Sequence, residues 1–283
     1  MKQIKYISPR TKEEVLEILH QEKDYACIVA GCSNVLPNLK DKKIAPQILV
    51  DITNLESLKG VFKKEDKILL GPLTTINELI SSKIILEEYP VLSQAACEFA
   101  DPIVRNTATV GGNLVTASPA ADLAVPLLSL DAIVKIESLD NKREVKLINF
   151  FTAPGKTILN NNELVVGIEF KQSDINKNGC FIKIGQRKAM AISIATLAVN
   201  LDWKENIINQ IRIAAGSVAP TPLRLTKVEE FLKNKRLNQE LIKEAIIKVS
   251  KEVNPISDIR ASEEYRRYIS GILFKRAIER LTN

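Results

Sequence analysis

The strongest constraint on the fold is the order in which two hydrophobic periods occur in the last third of the chain. Apolar residues run in strand-like stretches over Phe181 to Gly185, Ile192 to Trp203 and Ile207 to Ala215, the second alternating Ile192, Ile194 and Thr196 with smaller residues. From Lys227 onward the spacing is helical, over Lys227 to Asn234, Gln239 to Val253 and Ser262 to Leu281. Strands grouped first and helices grouped last do not build alternating βαβ units, so this part reads as an α+β module, an antiparallel sheet followed by three helices. In the last helix Tyr265, Tyr268, Ile272 and Leu273 mark the expected apolar face, which predicts packing inside its own domain.

Upstream, the pattern is mixed. Thr11-Lys-Glu-Glu begins as a capping box, with Val15, Ile18 and Leu19 at helical spacing behind it. Tyr25 to Ala30 is a short strand that stops at Gly31, and Ile48 to Ile52 is another. A second unit begins near residue 58, with a strand at Ile68 to Leu70 and a Thr75-capped helix to Ile80. Val91 to Phe99 is helical, Ala120 to Leu130 is a helix candidate, and Ala132 to Glu137 is a strand candidate. The division expected is 1–57, 58–170 and 171–283.

Composition narrows the function. The start, Met1-Lys-Gln-Ile-Lys-Tyr, carries no apolar leader core, and no long uncharged apolar run follows, so the expectation is a cytoplasmic protein with no membrane insertion. The net charge of +6 arises from lysines scattered among acids, and few aromatics interleave with them, which argues for a solvated face and against nucleic acid. Cys27, Cys32, Cys97 and Cys180 form no C-x-x-C pair and His20 is the single histidine, so no metal site is expected in this chain.

Two small-residue turns stand out. Gly31-Cys32-Ser33-Asn34 follows a strand and opens a short helix, which leaves backbone N–H groups free for an anion. Thr109-Val110-Gly111-Gly112-Asn113 places two glycines where the backbone can adopt positive φ and approach a ligand closely, with Ser118 and Asp122 supplying polar groups nearby. A tight turn that needs glycine for geometry alone explains the same residues. Neither is a G-x-G-x-x-G or Walker A sequence, but two such turns suit the two phosphates of a dinucleotide.

Ala30-Gly31-Cys32-Ser33-Asn34, Thr109 to Leu114, Ala117-Ser-Pro-Ala-Ala-Asp122 and Ser257 to Arg267 together resemble the FAD-binding medium subunit of molybdenum hydroxylases, the xanthine and carbon monoxide dehydrogenase family. The resemblance spans nearly the whole chain in order, and Phe150 to Lys156, with Gly155, looks closest to bacterial xanthine dehydrogenase flavin subunits. It implies a two-lobed FAD-binding domain of the PCMH type ahead of the C-terminal module. Val29 to Val35, including Ala30, and Thr109 to Asn113, including Val110, would clasp the FAD pyrophosphate through backbone amides. Phe99 would lie against the cofactor, Asp122 would hydrogen-bond it, and Lys183 and Arg187 would stand beside the flavin. A cation there would offset the negative charge that reduction places on the ring and raise its potential.

The resemblance further implies an electron-transfer subunit. A molybdopterin-binding large subunit hydroxylates the substrate, a small 2Fe-2S subunit relays electrons, and FAD here passes them to an acceptor such as NAD. The chain itself supplies no catalytic acid or base. Two departures from relatives are visible: Gly31-Cys32-Ser33-Asn34 stands where many carry Gly-Gly-Thr-Asp, and Ala191 follows Arg187-Lys-Ala-Met where an aspartate is common. Rival readings are an assembly subunit that has lost FAD, and a self-sufficient flavin oxidase.

Overall fold

The computed structural model describes residues 4–187 and 190–282. Met1 to Gln3, part of the leader reading, and Lys188 and Ala189, part of the second departure, lie outside the described residues. The first lobe contains β1 (Lys5–Ile7), α1 (Lys12–Glu22), β2 (Ala26–Val29), α2 (Val35–Lys40) and β3 (Ile48–Asp51). Its strands run parallel in the order β1-β3-β2, which requires the helices as crossovers. Thr11 caps α1 by accepting from Glu14 N, while the Glu14 carboxylate reaches back to Arg10 N, one residue beyond a standard capping box.

A five-stranded antiparallel sheet forms the second lobe. It comprises β4 (Val61–Lys64) and β5 (Lys67–Leu70), then α3 (Ile76–Ser81), α4 (Lys83–Glu88), α5 (Pro90–Cys97), α6 (Pro102–Arg105), α7 (Val110–Val115) and α8 (Ala124–Ser129). The chain returns through β6 (Ile133–Glu137), β7 (Lys142–Lys146), a small hairpin of β8 (Phe151–Ala153) and β9 (Lys156–Thr157), and β10 (Leu164–Lys171). The order β4-β5-β10-β6-β7 puts β10 at the centre, where Glu169 accepts from Lys67 at 2.7 Å and Lys135 at 2.9 Å on the neighbouring strands. The capping box on α3 is complete, with Thr75 and Glu78 each satisfying the other's backbone N–H.

The last part holds β11 (Gly179–Gly185), β12 (Ser193–Lys204), β13 (Ile207–Gly216), β14 (Leu223–Arg224), α9 (Thr226–Leu232), α10 (Gln239–Glu252) and α11 (Glu263–Thr282). Period two explains why β12 is buried on both faces. Ala195, Leu197, Val199 and Leu201 join the core beneath α9 to α11, whereas Ala198 and, from β13, Ala214 join the core of the second lobe. Asn200, on that same second face, donates to Ser129 Oγ of α8 at 2.8 Å. The small residues admit α8 close to the sheet, so the face carrying the larger side chains is the odd-numbered one from Ala195 rather than the Ile192, Ile194, Thr196 series.

Four sequence expectations need correction. Gly111 and Gly112 lie in the first turn of α7, not in a loop, and neither has positive φ. The helix expected from Ala120 begins at Ala124, because Ser118 to Ala121 closes a turn through Ala121 N and Ser118 O at 3.0 Å. The buried stripe of α11 runs through Arg266, Ile269, Leu273, Phe274, Ala277 and Ile278, leaving Tyr265 and Tyr268 on the exposed side. Arg266 takes the interior position because its guanidinium donates to Ile194 O at 2.6 Å, Ser217 O at 2.8 Å and Asp258 at 2.7 Å. Finally, β4, β7 and the central β10 carry no strand in the sequence reading: β4 and β7 are half or more charged residues and β10 is buried along nearly its whole length, so in none of them do apolar and polar residues simply alternate.

Candidate cofactor site

A cleft of about 690 Å³ opens between the first lobe and the elements around α7, a size suited to an organic cofactor. Its walls combine the β2–α2 turn, Pro72-Leu73, the start of α7 and the segment Thr157 to Val165. Gly31 is what lets these parts meet. A Cβ there would sit 1.6 Å from the Thr107 carbonyl oxygen, so only glycine permits the contact. Cys32 follows at φ 57, in the left-handed region that glycine occupies without cost.

The turn is polar and open. The backbone N–H groups of Cys32, Ser33, Asn34 and Val35 find no acceptor among the described residues, so this stretch is an amide nest suited to an anion. Asn34 does not cap α2; its amide instead donates to Thr116 Oγ1 at 3.3 Å, and that hydroxyl donates to Gly112 O at 2.8 Å. The bond ties the turn to α7 across the cleft.

The second turn differs from the expectation of free amides. Val110 N donates to Thr74 O at 3.0 Å, Gly111 N to Pro72 O at 2.8 Å, Gly112 N to Thr109 Oγ1 at 3.1 Å and Asn113 N to Thr109 O at 3.0 Å. All four are spent inside the protein. What α7 offers is close approach: a Cβ on Gly112 would meet nothing within 4 Å except Thr109 Oγ1 at 2.9 Å. Gly111, by contrast, packs on Pro72, whose Cβ lies 2.6 Å from where its own would be.

Of the residues singled out from sequence, Ala30, Gly31, Cys32, Ser33, Asn34, Val35, Phe99, Thr109, Gly111, Gly112 and Asn113 line the cleft. Val29 and Val110 are buried core beside it. Ser118 accepts from Ala120 N at 3.2 Å, and the exposed Arg187 donates to Met190 O at 2.7 Å; neither reaches the cleft. Asp122 and Lys183 pair with each other at 2.6 Å just outside it. Sequence reasoning missed Asn38 and Ile44, in and just after α2, and the wall formed by Leu159, Asn160 and Leu164. The run Asn160-Asn161-Asn162-Glu163 was a legible turn signal: Glu163 accepts from Arg143 at 2.7 Å and from Asn160 N at 2.8 Å, which fixes that wall.

The electrostatics favour a binding role over a reactive one. Burial works to raise the Asp51 carboxyl, but hydrogen bonds from Tyr6 and Thr53 outweigh it and hold it below its ordinary value. Burial, then the Asp51 charge, raises the Cys32 thiol; burial, then Cys32, raises Cys27. Both thiols in the cleft wall are thus held in the protonated form and react more slowly than a free cysteine. Among the described residues no cluster of three or more His, Cys, Asp or Glu could hold a metal ion, and no helix is long and apolar enough to cross a membrane. The open amide nest, the space over Gly112 and the apolar walls fit a large cofactor with anionic and aromatic parts.

Comparison with known proteins agrees with this geometry. Residues 2–170 match the FAD binding domain in molybdopterin dehydrogenase, and residues 181–281 match the CO dehydrogenase flavoprotein C-terminal domain. The chain is 32% identical to the glyceraldehyde dehydrogenase medium chain of Sulfolobus acidocaldarius, over 97% of its own length and 96% of the relative's. It is 34% identical to the xanthine dehydrogenase FAD-binding subunit of Escherichia coli O157:H7, over 89% and 87%. A carbon monoxide dehydrogenase structure from Hydrogenophaga pseudoflava superposes with a TM-score of 0.93 at 28% identity, covering 98% of this chain and 96% of that one. The chain therefore belongs to the FAD-binding medium-subunit family of the xanthine and carbon monoxide dehydrogenases, and it is an oxidoreductase component with an α+β fold.

Proposed function

We infer that this chain binds FAD across the cleft and serves as the electron-transfer subunit of a molybdenum-containing hydroxylase. When bound, FAD supplies redox chemistry that accepts single electrons and releases pairs. The residues of this chain bind and orient it. The Cys32 to Val35 amides hold the pyrophosphate, Gly112 admits it closely, and Phe99 lies beside the ring system. Asp122 and Lys183 stand behind Phe99 at the flavin end. Electrons arrive from iron-sulfur clusters of a small partner subunit, a molybdopterin-bearing large subunit hydroxylates the substrate, and an acceptor such as NAD takes the pair. The chain works in the cytoplasm, as three units divided near residues 57 and 170.

The observation that carries this reading is the open amide nest beside a glycine-floored cleft, within the stretch that matches the FAD-binding family. The test is a visible absorption spectrum of the full chain after FAD addition and gel filtration. A retained flavin band is expected, lost in Gly112→Leu, which puts a bulky side chain on the face of α7 that lines the cleft. One observation favours the rival of a subunit that has lost FAD: the amides of α7 are already spent. A chain that retains no flavin, alone or in the co-purified complex, would establish that rival.

A further inference from the structure

The contact between Asp122 and Lys183 lies one residue behind two parts of the cleft wall. Lys183, on β11, donates to the Asp122 carboxylate at 2.6 Å and to the Glu98 carbonyl at 3.0 Å. Glu98 precedes Phe99, and Leu123, which follows Asp122, donates its N–H to Asn113 Oδ1 at 3.3 Å; Phe99 and Asn113 both line the cleft. The side chains are nearly sealed from water, at 6% exposure for Lys183 and 11% for Asp122. Yet Asp122 Oδ1 is buried with no hydrogen-bond partner among the described residues. A purely structural ion pair gains from satisfying every charged oxygen, because a bare one in the interior is costly.

We propose that Asp122 is a positioning residue that sets the charge presented by Lys183: ionised, it makes the pair neutral, and with one solvent proton on Oδ1 it leaves a net positive charge behind Phe99. This rests on the FAD reading above, which puts the flavin ring at that wall. Lys183 keeps its place in both states, because a protonated carboxyl still offers Oδ2 as an acceptor and the Glu98 carbonyl is unchanged. Burial pushes the Asp122 carboxyl up to about 6, over the opposing pull of Lys183, so the change of state falls within the working range of a cell. The charged groups that bear on it are Lys183 from β11 and Glu98 at the end of α5. A positive charge beside a ring that gains electrons favours its reduced form.

The experiment uses the full chain loaded with FAD and measures the midpoint potential of the bound flavin by dye-coupled anaerobic reduction at about pH 5 and about pH 8, with FAD affinity measured alongside. Asp122→Asn, isosteric but uncharged, is expected to raise the potential at the higher pH and leave it unchanged at the lower. Lys183→Gln is expected to lower it at the lower pH, where the pair carries its extra charge, and to act little at the higher, because without the opposing pull of Lys183 burial keeps the lone Asp122 carboxyl protonated and the site neutral, as the intact pair is. If Asp122→Asn does not fold, the pH selectivity of Lys183→Gln still decides. Bound flavin whose potential shifts equally at both pH values, or not at all, overturns the charge switch alone. A wild-type chain that binds no flavin overturns the FAD reading and this inference with it.

Discussion

Gly31→Ala tests the way the cleft is held together. The added Cβ would lie 1.6 Å from Thr107 O and 2.4 Å from its carbonyl carbon, and both are backbone atoms that cannot rotate away. The β2–α2 turn must therefore retreat from the Thr107–Thr109 segment by well over an ångström before contact becomes normal. Overpacking of this kind costs about 1–3 kcal/mol. The retreat also stretches the Asn34–Thr116 bond, now 3.3 Å, and its loss adds roughly 1 kcal/mol. A total of about 2–4 kcal/mol corresponds to a fall in Tm on the order of 3–7 °C for a chain of this size. Because the open amides of Cys32 to Val35 move with the turn, FAD affinity falls at least about tenfold, the equivalent of roughly 1.4 kcal/mol. Thermal unfolding and a flavin fluorescence titration read the two effects. Gly112→Ala is the internal control: its Cβ meets only the Thr109 hydroxyl, at 2.9 Å, so it costs at most that helix cap, about 1 kcal/mol, and its Tm falls less than that of Gly31→Ala. A Gly31→Ala protein with unchanged Tm and affinity would refute the account of how the lobes are joined.

Other changes give separate tests. Cys32→Gly removes a side chain held at φ 57, so after glycine's entropic cost it stabilises the chain by about 0.5–1 kcal/mol, read as a higher urea midpoint. FAD protects Cys27 and Cys32 from a thiol reagent, whereas exposed Cys97 reacts whether or not FAD is present; mass spectrometry of the labelled peptides decides this, and equal labelling of Cys32 in both states would place the cofactor elsewhere. Asp258 anchors Arg266 and the turn before α11, and although burial raises its carboxyl, hydrogen bonds from Arg260, Arg266 and Ala261 bring it down to about 2. Its folded value lies below its unfolded one, so its stabilisation is present above about pH 4 and is lost as the pH falls through about 2. The stability gap between wild type and Asp258→Asn, measured by denaturant unfolding, should therefore close over that window.

What the sequence discloses follows from how local each feature is. Strands β11 to β13, the Thr75 capping box and the Gly31 turn are set by neighbours in the chain, and period and capping chemistry reveal them. Strand β10 is set by partners far away: Leu164–Lys171 is central only because β5 and β6 flank it, and Glu169 is tolerable there only because Lys67 and Lys135 arrive from those strands. The same distinction governs the cleft. The glycines of α7 are conspicuous in sequence and suggest free amides, but Gly111 N is claimed by Pro72 O, and Val110 N beside it by Thr74 O, from a segment four helices earlier in the chain that touches α7 only after folding. In the last helix, hydropathy alone places Tyr265 and Tyr268 on the packed face with Ile272 and Leu273. Arg266 reverses that because the Ile194 and Ser217 carbonyls and Asp258 accept from its two terminal nitrogens in the interior, which offsets burial of the charge and turns Tyr265 and Tyr268 outward. In each of these cases an acceptor or counter-charge supplied by a distant segment overrides the local pattern. The same holds at Asp122 and Lys183, singled out separately from sequence but joined in the structure as one buried pair, so that their chemistry belongs to the pair.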